Sequence, residues 1–192
     1  PMLSIWPVSV TLNVGICASN YNWIARMDGD DIAMLNRFEE QVKYISDDVA
    51  VIGSEALFIN EDGAPLYETH SPVTLDRDIK RRLTKCTPFI HPSVMINKKK
   101  LIEVGGYDEN FTRIQDYNLW IRLKDKGEFI IIPKVLIKYR RFYYSDSFKD
   151  TYKTFVVNTL ICKLVLFRSN VLPLSKTTYL NLVNRFSDSY VY

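Results

Sequence analysis

The first 140 residues alternate between short apolar runs and polar turns, and the apolar runs have the length of buried or half-buried strands. Residues 60–63 read Asn-Glu-Asp-Gly, a typical hairpin turn, so the run after them is predicted to return as a strand. Pro133 interrupts the last run, which predicts two separate strands there. The strands predicted in this way are residues 23–27, 49–59, 64–67, 89–96, 128–132 and 135–139.

Apolar residues at intervals of three and four predict helices between these strands. Paired glycines at 105 and 106 are the usual stop signal for the short helix before them. Because strands and helices alternate, the fold class is predicted to be α/β. The predicted helices are residues 35–45, 76–83, 98–104 and 116–126, followed beyond residue 146 by the stretches 148–167 and 175–186.

Composition is that of an ordinary folded protein. Of 192 residues, 47% are apolar and 24% are charged, which excludes a disordered chain and favours one domain with a tail. The net charge of +3 is too small to predict nucleic-acid binding. The longest apolar stretch near the C-terminus, 159–167, is too short to span a membrane. Three scattered cysteines and two histidines provide neither a disulfide framework nor a zinc spacing, so a reducing compartment is expected.

The most informative polar cluster is an acidic turn directly after the first predicted strand. Asp28, Asp30 and Asp31 place three carboxylates within four residues, and such oxygen ligands suit a hard divalent cation. Ligands of open α/β sheets bind at the C-terminal ends of strands, where this turn is expected. An acidic surface loop is the alternative. An EF-hand is excluded, because Ala33 stands where that loop requires glycine.

Four more motifs follow in order, and together with the acidic turn they resemble family 2 glycosyltransferases that build bacterial surface polysaccharides. Any one of these short motifs has a high rate of chance matches, whereas their order and spacing together are specific. The resemblance covers roughly residues 12–140. The motifs are IARMDGDD at 24–31, RFEEQ at 37–41, HPSVM at 91–95, GGYDENF at 105–111 and QDYNLW at 115–120.

The resemblance implies a GT-A-like fold, a mixed sheet flanked by helices, and a nucleotide-diphosphate sugar as donor, with a UDP-sugar expected. It also implies Mn²⁺ or Mg²⁺, held by Asp30, with Asp28 and Asp31 sharing the metal or bonding the donor. A divalent cation would stabilise the charge that develops on the departing diphosphate. The implied acceptor is a saccharide or a lipid-linked hydroxyl at the cytoplasmic face of the membrane.

Asp116 matches the general base of the family, which deprotonates the acceptor hydroxyl in an inverting displacement. It also precedes an amphipathic helix, where a carboxylate is favoured as a plain cap without any chemistry. The residue before the base is usually Glu in the family, and here it is Gln115, which supplies a hydrogen bond but no charge.

Donor or acceptor binding is predicted for six residues of the motifs. Several have a plain structural alternative: core packing for the tryptophan, a helix end for the two glycines, and a hydrogen-bonded structural role for the histidine. The six residues are Arg37, His91, Gly105, Gly106, Gln115 and Trp120.

The family normally begins with strands and turns that bind the nucleotide, and residues 1–11 match none of them. We therefore expect a stub at 1–11, the C-terminal part of a transferase domain at 12–145, a helical tail at 146–192, and weak nucleotide binding by the chain alone. Basic clusters such as Arg140–Arg141 indicate either a solvated face or peripheral contact with an anionic membrane. An inactive remnant or non-enzymatic binding subunit, and a sugar nucleotidyltransferase, remain as alternative functions.

Overall fold

The computed structural model describes residues 7–111 and 114–142, in which a six-stranded mixed sheet is flanked by helices. The α/β organisation predicted from the alternating pattern is confirmed. The strands are β1 (Trp23–Ala25), β2 (Ile32–Ala33), β3 (Val49–Ile59), β4 (Pro65–Glu68), β5 (Met95–Asn97) and β6 (Glu128–Arg140). The helices are α1 (Val8–Ala18), α2 (Arg37–Gln41, continued by a 3-10 turn over Val42–Tyr44), α3 (Asp76–Arg82), α4 (Lys98–Glu103) and α5 (Gln115–Leu123).

The strands lie in the order β1-β5-β3-β6-β2, and β4 also pairs with β3. β3 and β6 are parallel, whereas the other pairs are antiparallel. β3 is buried along nearly its whole length, as its unbroken apolar run predicts for a central strand. The main core combines strands β3 and β6 with α3, α4 and α5, and its members include Val51, Ile79, Leu101, Leu119, Trp120 and Phe129.

β6 is one continuous strand, so the prediction of two strands separated by Pro133 is wrong. The register against β3 shifts at this point: Ser54 pairs with Ile132, but Glu55 pairs with Val135. Pro133 is therefore in a bulge, where its missing N–H costs no ladder hydrogen bond. Pairing with β3 lets the strand continue through Pro133, and this pairing cannot be read from the local sequence pattern.

The strand predicted over 89–96 is shorter than expected. Only β5 is extended, and His91–Ser93 form a 3-10 turn before it. The Ser93 hydroxyl donates to Ile90 O at 2.8 Å, and its oxygen accepts the Ser54 N–H at 3.1 Å. These bonds fix the turn that carries His91 against β3.

α2 is inverted relative to an ordinary surface helix, which turns its apolar face to the core. Arg37 and Gln41 are buried, with exposed fractions of 1% and 0%. The exposed side of α2, its 3-10 continuation and the residues directly before and after them carry four apolar residues, which we call the apolar stripe: Leu35, Phe38, Val42 and Ile45.

The structure describes only part of the predicted division into stub, transferase domain and tail. α1 begins at Val8 and so runs across the predicted boundary at residue 12. The predicted tail at 146–192 lies outside the described residues. Within the described ranges, no helix is long and apolar enough to cross a membrane.

Candidate active site

The three carboxylates of the acidic turn have different surroundings. Asp28 forms a two-bonded ion pair with Arg26, whose Nη1 donates to Oδ2 at 2.8 Å. Asp31 is buried, and its Oδ1 accepts the Arg140 backbone N–H at 2.8 Å. The Asp30 side chain is exposed and makes no hydrogen bond or ion pair with any described residue. One carboxylate of the three is therefore available to a ligand as the turn stands.

Burial raises the pKa of Asp31 to about 6, and the neighbouring Asp28 and Asp30 charges add to the rise. The hydrogen bond from the Arg140 N–H opposes it, as does the positive charge of Arg26. Asp31 consequently takes up a proton more readily than an exposed aspartate does, and its sharing of a metal stays a prediction.

Arg140 fastens the acidic turn to the β3–β4 hairpin. Its guanidinium donates to Asp30 O at 2.9 Å, to Asn60 O at 3.1 Å and to Glu61 O at 2.7 Å. The guanidinium of Arg141 lies 4.9 Å from the centre of the Phe58 ring. Both side chains therefore have partners within the domain, and attraction to a membrane through this cluster stays a prediction.

Asp116 lies in the first turn of α5, as the motif predicted. Burial raises the pKa of its carboxyl above the usual value of 3.8. Hydrogen bonds with the Tyr117 backbone and with Thr87, together with the charge of Arg26, oppose the rise. A carboxylate in this setting accepts a proton more readily than an exposed one does.

Backbone strain occurs directly before α5. Ile114 has φ 56°, in the left-handed region that a β-branched residue rarely adopts. Gln115 follows it, and the buried Oε1 of that side chain has no hydrogen-bond partner among the described residues. Strain and an unsatisfied polar atom side by side are typical of ligand sites, because the surrounding structure must hold both in place.

His91 and Tyr107 form a neutral pair, with His91 Nε2 2.8 Å from the Tyr107 hydroxyl. Burial lowers the pKa of His91 well below 6.5 and raises that of Tyr107. Arg26 exerts its positive charge on both residues and on Asp116. The acidic turn, the neutral pair and the half-buried Asp116 carboxylate thus lie around one arginine.

A cavity of about 470 Å³ opens between α1 and β1, beside this cluster. Arg26 and Tyr107 line it together with apolar residues such as Ile16 and Ile24. An apolar cavity with a few convergent polar groups is the usual form of a small-molecule site.

The paired glycines end a helix, as the structural alternative predicted, and Gly106 also allows a close approach of the backbone to Asn13. Gly105 and Gly106 have φ of 82° and 69° and end α4. A Cβ at Gly106 would lie 2.7 Å from Asn13 Oδ1. That oxygen accepts the Tyr107 N–H at 2.8 Å, while Asn13 Nδ2 donates to Tyr107 O at 2.8 Å. The close approach lets α1 clamp the loop that carries Tyr107.

Two residues predicted to bind donor or acceptor are instead part of the interior. Trp120 is 0% exposed, and its ring packs at 5.2 Å from Phe89 and 5.9 Å from His91, so it offers no face to a sugar. Arg37 donates to Arg26 O at 2.8 Å and to Gln41 Oε1 at 3.1 Å. Both predictions are corrected: Trp120 is a core residue, and Arg37 joins α2 to β1.

Sequence reasoning assigned no role to Arg26, Tyr107 or Asn13. Arg26 and Tyr107 lie inside the motifs at 24–31 and 105–111, so these motifs could have identified both residues. Asn13 gave no signal, because its partners are more than 90 residues away along the chain.

The described residues contain no group of three or more His, Cys, Asp or Glu side chains placed to hold a metal ion. Mg²⁺ commonly uses one or two carboxylates and takes its other ligands from phosphate and water. Asp30, exposed at the end of the turn, fits that requirement. The site is therefore compatible with a cation that arrives with a diphosphate.

The family model described as "Glycosyltransferase like family 2" matches residues 6–169. An uncharacterised glycosyltransferase of Methanocaldococcus jannaschii is 36% identical over 131 residues, which are 67% of this chain and 45% of that protein. The amylovoran biosynthesis glycosyltransferase AmsE of Erwinia amylovora is 34% identical over 130 residues, 67% of this chain and 48% of that protein. The chain spans about half the length of these curated relatives.

The crystal structure of S. aureus TarS resembles this chain with a TM-score of 0.53 at 10% identity, over 92% of this chain and 30% of TarS. At that identity the likeness shows the fold alone, and it confirms the GT-A-like α/β fold that the resemblance implied. The family model accounts for most of the sequence, and the chain belongs to the glycosyltransferase-like family 2.

Proposed function

We propose that this chain carries the acid–base and diphosphate-facing residues of a glycosyltransferase. The enzyme moves a sugar from a nucleotide-diphosphate donor to a hydroxyl of a saccharide or lipid-linked acceptor. The observation that carries the proposal is an exposed carboxylate, Asp30, in a turn that pairs with Arg26 through Asp28, together with a half-buried carboxylate, Asp116, on which the same arginine acts. Family membership and the name of AmsE, which refers to amylovoran biosynthesis, support polysaccharide synthesis as the setting.

Asp116 is the general base in this proposal. Its carboxylate takes the proton of the acceptor hydroxyl while the hydroxyl oxygen attacks the anomeric carbon, and the bond from that carbon to the diphosphate oxygen breaks. A single displacement of this kind inverts the anomeric configuration. The raised pKa of Asp116 supports the role, because a stronger base removes the proton of a weakly acidic hydroxyl more effectively.

Asp30 would hold Mn²⁺ or Mg²⁺ together with oxygens of the donor diphosphate. The bound cation would stabilise the negative charge of the leaving diphosphate. Arg26 adds a fixed positive charge on the same side of the site, and its ion pair with Asp28 keeps that side chain in one orientation.

His91 and Tyr107 shape the pocket as uncharged hydrogen-bonding groups. Because His91 is neutral, it adds no charge that competes with Arg26 for the donor. Gln115, Gly105 and Gly106 lie around the same loop and helix start, where acceptor contact is proposed. Trp120 supports this region from the core, through its ring contact with His91.

Calorimetric titration with UDP, with and without Mn²⁺, tests the donor half of the proposal. We expect Mn²⁺-dependent UDP binding that is lost in Asp30→Ala and kept in Asp116→Asn. Asp62→Ala is the matched control, since Asp62 is an exposed carboxylate in the β3–β4 turn. Equal UDP binding by Asp30→Ala and the parent, or Asp30-dependent binding that needs no Mn²⁺, would contradict the donor assignment.

A non-enzymatic binding role for the same fold is the second candidate. It is favoured by the ion pair that occupies Asp28 and by Gln115 in place of the usual acid. UDP binding that depends on Asp30, combined with no sugar transfer by either the parent or Asp116→Asn, would select this candidate.

A further inference from the structure

The apolar stripe on α2 belongs to the largest concentration of exposed apolar side chains in the described residues. Six of the fifteen exposed large hydrophobic residues there lie between positions 32 and 45. Phe38 and Val42 are 56% and 50% exposed. Contiguous apolar surface of this kind marks an interaction site more often than single exposed residues do. The six are Ile32, Leu35, Phe38, Val42, Tyr44 and Ile45.

The helix is unable to rotate to bury this face, because its opposite face is fixed by buried hydrogen bonds. Arg37 donates to Arg26 O at 2.8 Å, and Gln41 Nε2 donates to Ser93 O at 2.8 Å. Gln41 Nε2 also lies 3.3 Å from Ile52 O. Turning the stripe inward would break these bonds and leave buried polar groups unpaired. The stripe is thus a fixed outer surface of the domain.

We propose that the apolar stripe is the docking surface for residues 148–167 of the same chain. This inference concerns how the chain packs and does not depend on the proposed reaction.

The point where the described chain ends supports this occupant. β2 lies beside β6, with Ala33 opposite Ile137 and the Met34 N–H bonded to Leu136 O at 3.0 Å. Leu35 is therefore about 20 Å from Phe142 along β6, at about 3.3 Å per residue. The six steps from residue 142 to 148 also reach about 20 Å when extended. The segment can begin where the stripe begins.

The sequence of 148–167 fits an apolar surface with an acidic margin. Its apolar residues at 152, 156, 160, 164 and 167 share one face of a helix. Residues 148–167 contain three Lys and one Asp, whereas Glu39, Asp47 and Asp48 are exposed around the stripe, with Lys43 between them. A second copy of the chain and a lipid surface are the competing occupants, and both are outcomes of the tests below.

Disulfide trapping in the full chain tests the contact. The pair Val42→Cys and Leu160→Cys is placed in a background of Cys17→Ser, Cys86→Ser and Cys162→Ser and oxidised with diamide. A disulfide requires Cβ atoms about 4 Å apart, so only a docked segment forms it efficiently. We expect an intramolecular disulfide that forms at least tenfold faster than in the control pairs.

Two control pairs give the reference rate. Leu66→Cys replaces Val42→Cys in the first, because Leu66 is 54% exposed and lies on β4, away from the stripe. The second keeps Val42→Cys and uses native Cys162, which the helical pattern places on the opposite face from Leu160. Equal rates in all three pairs, or disulfide-linked dimers as the main product, would overturn the proposal.

A measurement without cysteines keeps the test independent. Val42→Ser in the full chain is expected to lower the melting temperature by roughly 2–4 °C, whereas Leu66→Ser leaves it unchanged. An unchanged melting temperature in both variants would overturn the proposal. Binding of the parent to anionic phospholipid vesicles that Val42→Ser abolishes would assign the stripe to a lipid surface and overturn it as well.

Discussion

The acidic turn after β1 and the first turn of α5 each present an aspartate near Arg26, but in opposite environments. Asp30 is exposed and has no partner among the described residues, whereas burial raises the pKa of Asp116. The two aspartates are therefore suited to different tasks: Asp30 is open to cations, and Asp116 lies where its surroundings favour proton uptake. The pattern of residues predicts both aspartates, and the surroundings separate their roles.

Arg26 connects the two regions. Its charge lowers the pKa of Asp31 and of Asp116, against the effect of burial in each case. Its ion pair with Asp28 leaves Asp30 as the exposed carboxylate of the turn. The Arg26 guanidinium therefore acts on both regions: it pairs with Asp28 in the acidic turn and lowers the pKa of the Asp116 carboxyl in α5.

Loss of the half-buried Asp116 carboxylate gives the largest expected effect. Asp116→Asn is expected to lower the rate of sugar transfer by roughly 10²–10⁴-fold, because general-base catalysis contributes about that much. UDP binding is expected to stay at the parent level, since the exposed half of the site is unchanged. Asp62→Asn serves as the control, and the readout is product formation per enzyme under saturating donor. A transfer rate of Asp116→Asn within twofold of the parent rate, as expected of the control, would contradict the assignment of Asp116 as the general base.

The link between the regions is tested by a double-mutant cycle on Arg26→Met and Asp28→Asn. Each single change leaves a charge of the pair without its partner, and the double change removes both. We expect a coupling of about 1 kcal/mol in the free energy of unfolding, measured by urea titration, because the Asp28 side chain is 39% exposed and solvent screens the pair. Additive effects would mean that Arg26 does not depend on Asp28 for its place between the two regions.

A substitution in the loop between α4 and α5, which carries Tyr107, is expected to have a smaller effect on stability. Gly106→Ala is expected to destabilise the protein by about 1 kcal/mol, because a side chain at φ 69° is strained and meets Asn13. Gly29→Ala is the control in the exposed region, where a Cβ would have no neighbour within 4 Å. Thermal unfolding of the two variants measures the difference. Equal melting temperatures would show that the clamp on Tyr107 tolerates the extra atom.

Much of the fold follows from local pattern. The apolar run 49–59 predicted β3 with its bounds, because a strand buried on both faces is apolar at successive positions. The paired glycines predicted the end of α4, because the left-handed conformation that ends a helix favours glycine. The bulge at Pro133 and the inverted α2 were not predicted. Both depend on partners far away in sequence: the register of β3, and the carbonyls that Arg37 and Gln41 reach.

The candidate site divides in the same way. Motifs identified Asp30 and Asp116, since their spacing is a property of the sequence. They did not show that Arg26 pairs with Asp28, that Trp120 is enclosed in the core, or that Asn13 holds Tyr107. Those facts depend on packing, which places side chains from different elements against one another.

In the proposed reaction the half-buried carboxylate of Asp116, separate from the cation site, accepts the proton. The most direct test is the pH dependence of kcat for sugar transfer, measured with saturating Mn²⁺ and again with Mg²⁺. Because the pKa of Asp116 is raised above 3.8, activity is expected to fall as pH falls, with a midpoint above 3.8 that is the same for both metals. A midpoint that moves with the metal would place the titrating group at the cation and contradict the account.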